Sequence, residues 1–426
     1  VTPPPSPETT FNRSRPAREA DAILTRLTDE FDDPPTAMRY FYDLFRRVYV
    51  QGEDIRALGI QVGTTCILAP EELIYALGAK PVRLCNGSYH HDQIGADFMP
   101  AKSCAVVKAT LGMLTSDNPA PRIGRPDLIV NPTSCDLKKK ASAMMAEMGY
   151  PVFDLEMPNV KESEAARLYW RRSVRDFAKR LEQLTHRRLT RRNLRAAMAR
   201  VRRAEAAFRV LDGFRTAQPA VFLGKDAFLV ANAFFFDDID RWTEAVETLN
   251  AELAVRAAAG IAAAQKKAPR IVFTGSPPIF PNLKLPLLIE EAGGVVVADE
   301  TCSANRMLYD MTASDEWLVN DMVDSLADKY LLPCTCPIFT RNDDRLRRLG
   351  MLIDRFGADG VVHQVFAGCL VYEMELKSVA DMLNARGIPL LAVETDYSPD
   401  DMGQMSTRVE AFLEAIKNRK RTRKQA

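Results

Sequence analysis

The chain has 426 residues, 47% of them hydrophobic, which is enough for ordinary cores and suggests two or three domains. Its 57 basic and 56 acidic side chains nearly cancel, so the whole molecule carries no electrostatic commitment to nucleic acid. No apolar run reaches the roughly 18 residues that a membrane span needs, since even the alanine-rich stretch 251–265 contains Arg256. No charged segment followed by an apolar run opens the chain, so no secretory signal is read, and reduced thiols in a cytoplasmic setting are the expectation.

In chain order, residues 1–18 are proline-rich and polar and read as a flexible arm. Residues 19–58 read as helices, with Ala20, Ile23, Leu24 and Leu27 at helical spacing. Short apolar runs at Pro81–Leu84, Asp127–Val130 and Pro151–Leu155 then alternate with helical patterns at Pro70–Leu77 and Lys138–Met148, the rhythm of a parallel sheet. From Glu162 to Lys267 the pattern changes to long charged helices, interrupted near Gly213, Pro219 and Gly224. After Pro269 the alternation resumes, with strands expected at Arg270–Thr274, Gly294–Asp299, Gly360–Phe366 and Pro389–Glu394 and helices at Leu283–Glu291 and Lys377–Ala385. The expected domains are an N-terminal arm with helices (1–60), a first α/β domain (61–161), a helical segment (162–267), a second α/β domain (268–416) and a basic tail (417–426). The fold class is therefore α/β, with two Rossmann-like, flavodoxin-like parallel-sheet domains, a helical insertion and an N-terminal helical segment. The two halves share a coarse plan without a direct sequence repeat.

Six of the eight cysteines fall into two spaced groups, Cys104 and Cys135, then Cys302, Cys334, Cys336 and Cys369. Cys334 and Cys336 lie in Leu-Pro-Cys-Thr-Cys-Pro, where flanking prolines forbid a regular helix, and thiols two residues apart there can converge on one ligand. Cys302 and Cys135 follow runs that read as strand ends, where open α/β sheets present ligands. Soft sulfur matches iron in a sulfide cage, so spacing favours a metal cluster over small buried hydrophobes or disulfides. Zinc is the nearest rival, although the compact Cys-x2-Cys pairs of zinc ribbons are missing. Six thiols alone fall short of two four-iron cubanes, each of which needs four outside ligands.

The strings at these strand ends resemble a known family. Gly63-Thr64-Thr65-Cys66 with Pro70-Glu71-Glu72-Leu73-Ile74, Thr274-Gly275-Ser276-Pro277, Asp299-Glu300-Thr301-Cys302 ending in Arg306, and Glu394-Thr395-Asp396-Tyr397 occur in the order seen in 2-hydroxyacyl-CoA dehydratase D-components. That family includes benzoyl-CoA reductase subunits. The resemblance implies that Cys104, Cys135 and Cys369 match the three thiols by which its dehydratases hold one [4Fe-4S] cubane. Cys302, Cys334 and Cys336 resemble the further set of the double-cubane cluster branch, whose [8Fe-9S] cofactor joins two cubanes through a bridging sulfide. Cys66 and Cys85 are then left as non-ligand residues near the pocket or core.

The resemblance also implies an oxidoreductase that takes low-potential electrons from a homodimeric ATPase with its own [4Fe-4S] cluster and reduces acetylene-, azide- or hydrazine-like molecules. A dehydratase or aryl-CoA reductase subunit with a single cubane is the alternative. Self-association as a homodimer is expected, with no membrane and no nucleic acid. The chain has no Gly-x4-Gly-Lys-Ser/Thr loop and no Gly-x-Gly-x2-Gly fingerprint, so no sequence motif of its own announces a nucleotide. His363 and Gln364 before Cys369, and Glu373 and Glu375 after it, are the expected proton carriers, against a core histidine and solvated glutamates. His90 and His91 read as a polar surface loop. The arginine-rich stretch 167–209 reads as a solvated helix face, and Arg171, Arg172 and Arg175 as a docking surface for the partner ATPase or a second subunit.

Overall fold

A computed structural model describes residues 13–54, 59–121, 123–308 and 317–425; of the arm expected over residues 1–18, residues 1–12 lie outside them, and 15–18 belong instead to the helix Arg15–Asp29, which buries Ala17. Two parallel sheets of four strands each organise the chain. The first contains β1 (Gln61–Thr64), β2 (Lys80–Arg83), β3 (Leu128–Pro132) and β4 (Val152–Leu155), in the order β2-β1-β3-β4. The second contains β5 (Arg270–Gly275), β6 (Val295–Glu300), β7 (Gly360–Phe366) and β8 (Leu390–Thr395), in the order β6-β5-β7-β8. Both sheets run second, first, third, fourth in their own strand numbering, the doubly wound flavodoxin-like order. The repeat is one of topology, with no matching sequence repeat.

Helices cover both faces, and the central strands β1, β3, β5 and β7, with the edge strand β6, are accordingly buried along their whole length. The expected strands fall within a residue or two of the observed ones. β1 escapes the sequence pattern because Gln-Val-Gly-Thr is only four residues long and half polar. Its place is fixed by pairing, with Val62 opposite Pro81 on one side and Leu128 on the other.

The charged helices between the sheets do not close a core of their own. Trp170, Val174 and Phe177, on the helix Glu164–Thr185, pack with Val62, Leu73 and Val130 of the first sheet's layer. Phe208, Phe228 and Trp242, on the helices Arg191–Phe214, Gly224–Ala233 and Ile239–Ala258, join Ile271, Phe273 and Val296 of the second. The N-terminal helix Arg15–Asp29 buries Ala17, Ala20, Leu24 and Leu27 in that same core. The expected solvated arginine face is largely paired: Arg171 and Arg175 each make two bonds to Asp328 and Asp324, closing at 2.6 Å on the helix Val319–Leu331. Arg172 alone of the three is strongly exposed, so the expected docking face is mostly taken by the chain itself. These pairs join residues about 150 apart and leave no local signal.

Two further expectations are corrected. His91 is fully buried in the helix Tyr89–Gly95, not in a surface loop; Ser88 caps that helix, and the imidazole lies 3.3 Å from Asn86 Oδ1. The basic terminus is not a free end either, since the helix Met402–Gln425 runs through it, anchored by buried Val409, Leu413 and Ile416.

Candidate functional site: thiols between two sheets

All eight cysteines are free thiols, and five of them follow strand ends of the two sheets. Cys66 and Cys85 come after β1 and β2, Cys135 after β3, Cys302 after β6 and Cys369 after β7. Parallel strands that all point one way deliver their following loops to a single edge, which is where crevices form in such folds.

Cys104, Cys135 and Cys369 share one local feature. Each is the N-cap residue of a helix, respectively Ala105–Thr115, Asp136–Glu147 and Leu370–Ala385. The first turn of a helix leaves N–H groups without internal partners and carries the positive end of the dipole, so a thiolate there is favoured. Cys104 and Cys369 hydrogen-bond to each other, and this bond, helped by the amides of Val106 and Val107, pulls Cys104 down to about 7. The same bond pushes Cys369 up, because one proton is shared by two close sulfurs. Burial pushes Cys135 up against the amides of Lys138 and Leu137.

Gly368 makes that sulfur pair possible. Its φ is +77°, and a Cβ there would stand 1.7 Å from the Lys102 carbonyl oxygen. Only a residue without a side chain lets the loop after β7 lie on the segment leading to Cys104. Gly87 plays the matching role on the other side of the junction, where a Cβ would meet the Ile279 carbonyl at 1.8 Å.

Cys302, Cys334 and Cys336 form a second neighbourhood around the buried guanidinium of Arg306. Burial pushes all three thiols up, Cys334 to about 11, while Arg306 opposes the shift in each. Cys66 belongs electrostatically to this group, since its sulfur bears on Cys302, Cys334 and Cys336, and Cys85, pushed up to about 11 by burial, adjoins it. The two cysteines left over in the sequence are thus beside the second set.

The Cys-Thr-Cys turn is held by side-chain donors on three successive carbonyls. Lys161 Nζ bonds the Cys334 carbonyl, Arg306 Nη1 and Arg345 Nη1 reach the Thr335 carbonyl at 3.1 and 3.3 Å, and Asn342 Nδ2 reaches the Cys336 carbonyl at 3.2 Å. Glu300, at the end of β6, accepts from Thr335 Oγ1 at 2.5 Å and pairs with Arg345 and Arg306. Burial raises the Glu300 carboxyl, but the two guanidinium groups hold it below the ordinary range. Arg306 Nη2 also donates to Tyr372 OH at 2.8 Å. Arg345, Lys161 and Asn342 carry no sequence signal, because each is a lone polar residue whose partners are distant in the chain.

The expected proton carriers separate. His363 is fully buried on β7, with neither ring nitrogen in a hydrogen bond of normal geometry, and burial with nearby Arg345 lowers it to about 4. Its ring lies 6.4 Å from that of Tyr372. Gln364 donates to the Ser276 carbonyl at 3.0 Å, a structural tie between β7 and β5. Glu373 is exposed, and Glu375 pairs with Arg345 at 3.4 Å. Among the described residues no group of three or more His, Cys, Asp or Glu converges to hold a single metal ion.

The family described as 2-hydroxyglutaryl-CoA dehydratase, D-component, matches residues 66–416. The chain belongs to this family. Among similar proteins is YjiM of Escherichia coli (strain K12), provisionally named a dehydratase subunit, 32% identical over 90% of this chain and 99% of its own length. The beta subunit of (R)-2-hydroxyglutaryl-CoA dehydratase from Acidaminococcus fermentans is 24% identical over 83% of this chain and 92% of its own. One of the subunits of benzoyl-CoA reductase from Thauera aromatica is 20% identical over 82% and 89%. D-component relatives are thus named as subunits of dehydratases and reductases, and no described helix of this member is long and apolar enough to cross a membrane.

Proposed function

We propose that this D-component is the substrate-reducing member of an iron–sulfur reductase, holding a double-cubane [8Fe-9S] cofactor and receiving electrons from a homodimeric ATPase with its own [4Fe-4S] cluster. The observation that carries the reading is the second thiol set. Beside Cys104, Cys135 and Cys369 at three helix N-termini, Cys302, Cys334 and Cys336 gather around Arg306. Soft sulfur donors with nearby positive charge suit anionic iron–sulfide cages, and their spread over several loops suits a multi-iron group better than one ion. Cys104, Cys135 and Cys369 would hold one cubane and Cys302, Cys334 and Cys336 the other; the cofactor would supply electrons at low potential to an acetylene-, azide- or hydrazine-like substrate.

The protein's own part is positioning and charge. Arg306 offsets the negative charge of the second set, while the donors from Lys161, Arg345 and Asn342 fix the turn that presents Cys334 and Cys336. Of the four residues expected to move protons, His363 is the one linked toward the thiols through the Tyr372 ring and the Tyr372–Arg306 bond, and we assign it that role. A cytoplasmic homodimer completes the reading.

The names of the relatives favour a second reading, a dehydratase or aryl-CoA reductase subunit with one [4Fe-4S] cubane. Anaerobic reconstitution separates the two. The first requires about eight irons per chain, and the second about four. Cys302, Cys334 and Cys336 must also resist alkylation in the loaded protein, and acetylene or azide must be reduced when ATP, a low-potential donor and the partner ATPase are supplied. About four irons with Cys334 and Cys336 freely alkylated would sink the double-cubane assignment.

A further inference from the structure

The starting edge of the second sheet, opposite the cysteines, holds a cavity of about 930 Å³. Ala268 and Gly294 on its wall precede β5 and β6, whereas Cys302 and Cys369 follow the far ends of β6 and β7. With strands of six or seven residues, the cavity stands about 20 Å from the thiols.

Five cations line it. Lys417, Lys420 and Arg421 occupy one face of the helix Met402–Gln425, and the buried Leu413 and Ile416 on the preceding turn pin that helix to the sheet. Lys266 and Lys267 approach from the loop before β5. Lys420 is paired with Asp359 at 2.5 Å, while Lys266, Lys267, Lys417 and Arg421 have no ion-pair partner among the described residues. The one carboxylate on the wall, Glu290, is turned into the protein, accepting from the amides of Gly224, Lys225 and Val296 at 2.7 to 3.0 Å. Four unneutralised cations in one concavity are conspicuous in a chain whose formal net charge is +1. The rest of the wall is apolar, with Phe31, Leu223 and Ala264.

We propose that this cavity is a binding site for a nucleoside polyphosphate, its phosphates among Lys266, Lys267, Lys417 and Arg421 and its base against Phe31 and Leu223. The volume lies in the range of small-molecule sites, about 300–1,000 Å³. Four cations match the charge of a di- or triphosphate, and Arg421 adds a planar fork suited to two phosphate oxygens. An inorganic phosphate would leave the apolar wall without a partner. Recognition here would use side-chain cations instead of a glycine-rich backbone loop, which is why no nucleotide motif appears in the sequence. The basic terminal stretch thereby gains a role that the thiol site does not give it.

The test is calorimetric titration of the full chain with ADP, adenosine and inorganic pyrophosphate in parallel. One saturable ADP site is expected, at least about tenfold tighter than either adenosine or pyrophosphate, and weakened as salt rises from about 50 to about 300 mM. The double variant Lys417→Glu/Arg421→Glu should weaken ADP at least about tenfold with its circular dichroism melt unchanged. If that variant fails to fold, Lys266→Ala/Lys267→Ala on the separate loop replaces it, with weakened ADP binding expected. Absence of saturable ADP binding, or affinity unaltered in the folded variants, overturns the site. Pyrophosphate binding as tightly as ADP overturns the nucleotide assignment.

Discussion

Replacing Gly368 by alanine sets one methyl group against a backbone carbonyl that has no room to withdraw. The new Cβ would lie 1.7 Å from Lys102 O, 2.8 Å from Lys102 C and 3.2 Å from Ser103 C. An alanine at φ +77° costs about 1–2 kcal/mol for the left-handed conformation alone. Relieving the overlap by shifting backbone costs about 1–3 kcal/mol more, so about 2–5 kcal/mol is expected in total. Because the strained segments end in Cys104 and Cys369, the two sulfurs should also part. Urea unfolding reads the first effect, and the rates at which the two thiols of the unloaded protein react with a maleimide read the second. Gly213→Ala is the matched control: it lies inside the helix Arg191–Phe214 with nothing within 4 Å of its would-be Cβ, and it should stabilise by about 0.5–1 kcal/mol. A Gly368→Ala protein that unfolds within about 0.5 kcal/mol of the parent, with unchanged thiol reactivity, would refute the account of the junction.

The remaining predictions concern buried charges. Burial raises Glu205 to about 7, although it and Glu72 both grip Lys329, with Arg209 and Tyr330 nearby. A carboxyl raised in the folded state contributes stability that is present below its unfolded value of 4.5 and is lost as pH rises through about 7. The parent should therefore lose stability relative to Glu205→Gln between about pH 5 and pH 8.5, by at most roughly 3 kcal/mol, and parallel urea midpoints at the two pH values would contradict this. Arg306→Leu removes a partner of Glu300 and the donors to Thr335 and Tyr372; a loss of about 3 kcal/mol is expected, read by urea unfolding. Lys161→Met strips the Cys334 carbonyl of its donor and Asp344 of its partner, so about 1–3 kcal/mol should be lost and Cys334 should alkylate faster in the unloaded protein.

The strands and the strand-end cysteines could be read from the chain because both depend on local pattern, apolar runs of four to seven residues bounded by turn residues. The limits of that reading are local as well. β1 was too short and too polar to stand out, and His91 looked solvent-facing because its burial depends on Asn86 and the helix Ala105–Thr115. Arg171 and Arg175 resembled an open basic face because their aspartates sit on a helix about 150 residues later. The neighbourhood of Cys66 with Cys302, Cys334 and Cys336 exists only once the two sheets meet, so spacing along the chain could not reveal it. The arrangement of Arg306, Arg345 and Glu300 around the Cys-Thr-Cys turn was hidden for the same reason.

The first thiol set takes Cys104 and Cys135 from one sheet's loops and Cys369 from the other's, separated by more than 230 residues of intervening chain. No fragment containing a single sheet can present all three sulfurs, so a cluster held as proposed would load only once both sheets have folded. Whatever grips the three together acts as a clasp across the seam, strengthening it by mass action in proportion to how tightly it is held. Loss of the clasp, by oxidation or chelation, should therefore be felt first as a parting of the two halves, while each sheet keeps its own core.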